Sequence, residues 1–89
     1  MSATLMNTQV PQNPDGWGKL LADSIRRVFP QNTAKMAARV AATTPRTTEG
    51  WLDGHLPGSA AILSMMLESE EMQAEINKII EELREAKRG

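Results

Sequence analysis

The sequence predicts an all-α protein, a compact bundle of about five helices. Three observations lead there. Aromatic residues are scarce (two Trp, one Phe, no Tyr), and six Met with many Ala take their place, a palette that suits helices better than sheets. Apolar residues recur at three- and four-residue steps along most of the chain. No stretch alternates as a strand would, and no internal repeat is visible. At 89 residues the chain is one small domain by length, able to bury about 60% of its unfolded surface. Hydrophobic residues at 40% and charged residues at 24% match soluble globular proteins and argue against wholesale disorder.

The elements follow in order. Residues 1–14 are rich in Thr, Asn, Gln and Pro without an apolar period and read as a flexible arm. Asp15 and Gly16 are placed to cap a first helix. Its apolar face is Trp17, Leu20, Leu21, Ile25, Val28 and Phe29. Arg26 and Arg27 fall in its last turn, where the helix dipole favours cations, and Pro30 ends it. Asn32 is a suitable cap for a second helix over Thr33 to Ala41, whose Ala-rich face permits close approach of a neighbour. Thr44 before Pro45 signals a third helix, from Pro45 to about Asp53, with Gly54 as its stop. After the turn at Leu56-Pro57-Gly58, Ser59 is expected to cap a fourth helix carrying Ile62, Leu63, Met66 and Leu67. Ser69, Glu70 and Glu71 open a fifth, with acids favourable to its dipole.

Composition excludes several functions. There is no Cys, hence no disulfide scaffold, thiolate zinc site or Cys nucleophile, and one His leaves no His cluster for a metal. Paired carboxylates in a plausible cleft, a nucleophile with a His partner and a Gly-rich phosphate loop are all missing, so no enzyme and no cofactor is expected. No apolar run reaches a membrane span and the start lacks a signal-peptide pattern, which makes the cytoplasm the expected location. The formal net charge is −1, but it is unevenly spread. Up to Leu67 there are six basic and four acidic residues; from Glu68 onward there are four basic and seven acidic. The chain thus divides into an arm (1–14), a central domain (15–67) and an acidic amphipathic C-terminal helix (68–89).

The informative segment is Thr33–Pro57, TAKMAARVAATTPRTTEGWLDGHLP. Two short helices meet across a tight connection. A small residue, Ala38, lies on the inner face of the first. The second opens with short polar and basic residues and continues with Trp51 and Leu52 for the core. A helix-turn-helix requires this pattern: close crossing, an outward first turn and an anchored second half. The run VAATTPRTTEGWLDG resembles the lambda-repressor-like helix-turn-helix family. More narrowly, it is similar to the Ser-Pro-Arg-Thr-Val…Trp-Leu-x-Gly run of small phage and mobile-element regulators in bacteria. The resemblance covers about Thr33–Met66 and neither the arm nor the tail. The chain departs from the family pattern at Ala42, where Gly is frequent, at Thr48, where an apolar residue is usual, and at Gly50 inside the third helix.

The resemblance implies that Pro45–Asp53 enters the DNA major groove, while the start of the preceding helix meets phosphates. Arg46 is then the foremost candidate, reaching guanine O6 and N7 or a phosphate; its plain alternative is a solvated surface arginine. Thr44 and Thr47 can donate to phosphate or a base edge, although Thr44 also serves as a cap. Thr33 and Lys35 are placed to hold a phosphate. Glu49 can accept from cytosine N4, or repel DNA. Gly50 allows close approach to the bases, and His55 adds a phosphate contact. Trp51 and Leu52 are expected in the core.

In the tail, Met72, Ile76, Ile79, Leu83 and Ala86 fit a short heptad seam. It can complete the domain's own core or form a homodimer contact through Met72, Ile76, Ile79 and Leu83. The second reading is preferred, because four other helices already supply apolar faces. The functional expectation is a sequence-specific DNA-binding transcriptional regulator of a prophage or mobile element, a repressor or small activator, partnered by double-stranded DNA. The alternative is an antiactivator on the same scaffold that sequesters another transcription regulator.

Overall fold

Five α-helices account for most of the residues described, 14–88, in a computed structural model of the chain, and no strand occurs among them. They are α1 (Pro14–Val28), α2 (Thr33–Ala41), α3 (Pro45–Leu52), α4 (Ser59–Glu68) and α5 (Glu70–Arg88). The arm expected over 1–14 lies outside the described residues except for Pro14, which instead opens α1. The fold class is the expected one.

The helix ends show which residues set the boundaries. Asn32 precedes α2 in the left-handed region (φ 52°) and its side chain makes no capping bond, contrary to expectation. Asn tolerates that conformation, and the turn is held instead by the Thr33 hydroxyl, which donates to the Phe29 carbonyl at 2.5 Å. At the other end of α2, Ala42 is also left-handed (φ 57°). The Thr43 N–H donates to the Ala38 carbonyl and the Ala42 N–H to that of Arg39, the paired bonds of a Schellman motif. Thr44 caps α3 as expected, its hydroxyl accepting from the Thr47 N–H. Gly58 occupies the cap of α4, and Ser59 is the helix's first residue, so the cap expected at Ser59 is displaced by one position. Ser69 alone separates α4 from α5 and accepts from the Met72 N–H through its hydroxyl.

Every helix contributes to one core: Leu21 and Ile25 from α1, Ala37 and Ala41 from α2, Trp51 from α3, Met65 from α4, and Met72 and Ile76 from α5. This corrects the expected dimer seam. Met72 is fully buried and Ile76 nearly so within the same chain, so neither is free for a second copy; Ile79 also packs partly on this core, and Leu83 is half-buried. The heptad spacing arises because α5 lies against α1 and α4, and an apolar stripe serves a core as readily as a coiled coil.

Two polar ties fix the frame around that core. Buried Ser24 donates to Glu75 at 2.8 Å, and Arg27 reaches the same carboxylate oxygen at 2.8 Å, joining α1 to α5. Arg26 donates to the Leu52 carbonyl at 3.0 Å, joining α1 to the end of α3. α1 also passes very close to the turn after α3. A Cβ at buried Gly18 would lie 1.9 Å from the Gly54 carbonyl oxygen, and Gly54 itself has φ +105°. Only glycine satisfies both positions.

Candidate nucleic-acid interface

α3 is held by one face and offers the other. Thr48 and Trp51 are buried on the inner side, where Trp51 joins the core. Thr48 supplies the link to α2: its hydroxyl lies 2.7 Å from the Ala34 carbonyl and 3.0 Å from that of Pro45. Its single proton is shared between these two carbonyls, so the polar residue at this position is not left unpartnered in the interior. Successive buried positions at 48 and 51 turn Arg46, Glu49 and Asp53 to solvent, with Gly50 half-exposed between them.

Arg46 sits in the first turn, exposed, and among the described residues no hydrogen bond or ion pair engages its guanidinium. Beside it, the Thr44 and Thr47 hydroxyls are 3.1 Å apart. One of their two protons lies in that mutual bond, which leaves the other for an external acceptor. Glu49 is exposed one turn further along and adds a negative charge to the stripe.

Gly50 has room for a side chain. A Cβ there would meet only the His55 ring, at an ordinary 3.7 Å. The His55 N–H donates to the Gly50 carbonyl, so the exposed His55 stands beside the C-terminal half of α3. His55 also borders a shallow cleft of about 390 Å³ with Lys19, Ala22, Asp23, Arg26, Leu52, Asp53 and Gly54. Two cations and two carboxylates there leave no excess of either sign.

On α2, Lys35 is exposed and follows Ala34, whose carbonyl meets Thr48. Thr33 departs from its expected use, because its hydroxyl proton is committed to the Phe29 carbonyl and the side chain is half-buried. The structure thus groups Thr44, Arg46, Thr47, Glu49, Gly50 and His55 on α3 and its flanks, places Lys35 on the adjoining helix, and withdraws Thr33.

The tie from Ser24 and Arg27 to Glu75, the Arg26 strut and the Gly18–Gly54 contact were not legible in sequence. A glycine at position 18 inside a strong helical period was their only local signal. Among the described residues, no group of three or more His, Cys, Asp or Glu residues could hold a metal, and no helix is long and apolar enough to cross a membrane. Comparison with protein-family models, with curated proteins and with solved structures finds no match for this chain.

Proposed function

We propose that the chain is a sequence-specific DNA-binding regulator of transcription, of the kind carried by prophages and mobile elements, with α3 laid in the major groove. One observation carries the reading. Arg46 is exposed and unengaged in the first turn of a helix whose opposite face is fixed by Thr48 and Trp51. A guanidinium so presented can bond O6 and N7 of one guanine together. Thr44 and Thr47 stand beside it with a hydroxyl proton to give, Gly50 leaves the helix flat where a base pair would pass, and Lys35 and His55 offer phosphate contacts from either side. The resemblance of 33–66 to lambda-repressor-like regulators supports the same arrangement, for a repressor or a small activator.

A second reading rests on Glu49 and Asp53, which put two negative charges on the stripe of Arg46. They favour a basic protein partner, such as a transcription regulator held out of action. Selection of binding sites from a random pool of DNA duplexes separates the two. The DNA reading expects an enriched sequence whose log affinity falls with log salt by about 0.9 per phosphate contacted. It also expects Glu49→Gln to bind more tightly. Failure to enrich any duplex overturns it and leaves the protein-binding reading.

A further inference from the structure

We infer that the cleft between α1 and the turn after α3 binds a small zwitterion, a free amino acid with an apolar side chain. Lys19, Asp23 and Arg26 line it from α1, and Asp53 and His55 line it from the turn. Lys19, Asp23 and Arg26 are four and three residues apart, which sets them on one face of the helix. Two positive and two negative charges thus border one space of about 390 Å³, within the size range of small-molecule sites. These charges do not neutralise one another. The ion pairs among the described residues are Arg27–Glu75, Arg84–Glu81 and Arg88–Glu85, and none includes a residue of the cleft. Of the five polar side chains only Arg26 has a partner, the Leu52 carbonyl, which takes one of its N–H groups at 3.0 Å. Buried Ala22 and half-buried Leu52 complete the lining with apolar surface.

The pattern of charge chooses the ligand. A simple anion in the cleft is drawn to Lys19 and Arg26 but repelled by Asp23 and Asp53, and a simple cation meets the reverse. A molecule with one charge of each sign turns both pairs into attractions. Its carboxylate goes to Lys19 and to Arg26, whose guanidinium has five N–H groups and has given one to Leu52. Its ammonium goes to Asp23 and Asp53. In an α-amino acid the two charged groups sit on one carbon, as a space this small requires, and an apolar side chain finds Ala22 and Leu52. The close backbone contact of Gly18 with Gly54 holds the two walls at a fixed spacing before a ligand arrives, which lowers the cost of binding. Because the cleft is open to solvent, its ion pairs are screened and the dissociation constant is roughly 1–10 mM. The site stands on α1 and the turn and does not depend on what α3 binds.

Amide chemical shifts of the full chain, followed by NMR as L-leucine is added to about 50 mM, test it. Saturable shifts are expected at Asp23, Asp53, Gly54 and His55. Isocaproate, which is leucine without its ammonium, and isoamylamine, which is leucine without its carboxylate, are each expected to bind at least about tenfold more weakly, as loss of one charged hydrogen bond does. Lys19→Gln and Asp53→Asn are expected to weaken L-leucine binding by a similar factor and to keep the wild-type spectrum elsewhere, because both side chains are exposed. Lys35→Gln, outside the cleft, is expected to bind like the wild type. Absence of any saturable shift with L-leucine overturns the proposal. So does isocaproate binding as tightly as L-leucine, or wild-type affinity in both Lys19→Gln and Asp53→Asn.

Discussion

At Gly50 the stability of α3 and the proposed use of its surface make opposite demands. A Cβ there meets nothing closer than 3.7 Å, so the chain has room for alanine. Glycine inside a helix costs about 0.5–1 kcal/mol relative to alanine. Gly50→Ala is therefore expected to stabilise the protein by that amount in thermal or urea unfolding while weakening DNA binding. Equal or tighter binding by this variant would remove close approach as the reason for the glycine. Ala42 and Gly18 pose the converse cases. Ala42 holds a left-handed conformation that costs a residue with a Cβ about 1–2 kcal/mol. Part of that is offset by the greater unfolded freedom of glycine, so Ala42→Gly is expected to gain about 0.5–1 kcal/mol in urea unfolding. The sequence marked this position, since glycine is frequent there in the family it resembles. Gly18→Ala drives a methyl into the Gly54 carbonyl and is expected to lose about 1–3 kcal/mol, read as a lowered denaturation midpoint.

Helices are legible from periodicity, but the partner of each face is not. α2 and α3 appear where Pro, Thr44 and the apolar steps place them, whereas α1 opens at Pro14, ahead of the cap expected at Asp15 and Gly16. α4 is apolar all round, so its sequence has no phase that tells the inner side from the outer; Leu63 and Leu67 were grouped with Ile62 and Met66 and proved to face outward. In α5 the same spacing suits a core or a coiled coil, and packing against α1 and α4 decides for the core at Met72 and Ile76. The tie between α1 and α5 joins Arg27 and Glu75 across 48 positions, a distance at which single-sequence patterns carry no signal. That tie makes stability depend on pH. Hydrogen bonds first from Arg27 and then from Ser24 hold the Glu75 carboxyl below its ordinary range. A carboxylate with a lowered folded-state value contributes stability above its unfolded value, about 4.3, and loses it as pH falls through the folded value. The Arg27 side chain is 56% exposed and that of Glu75 22%, so solvent limits the tie to about 1 kcal/mol. Glu75→Gln is expected to melt lower than the wild type at pH 7, with a difference that shrinks as the melts are taken to pH values below about 4.3.

The described residues span 43 × 22 × 22 Å, with the charged α5 as their longest element. α1 and α2 pack against α3 and fix its outward face through the buried core, the Thr48 hydroxyl and the hydrogen bond from Arg26. On the proposed reading, the mixed sign of that face implies a modest electrostatic contribution to DNA binding. Lys35→Ala is accordingly expected to lower affinity by a similar factor on every duplex and to reduce the salt slope by about 1, as loss of one phosphate contact does. The sequence revealed the elements and the exposed arginine of this arrangement; the supports that hold it came from contacts between distant residues. The most direct measurement is the affinity of wild type and Arg46→Ala for a duplex selected by the wild type, beside the same duplex with its central guanines replaced. Loss of about 1–3 kcal/mol for Arg46→Ala on the selected duplex, and equal weak binding of both proteins to the replaced one, is the predicted result. Identical affinities of the two proteins for the selected duplex would contradict it.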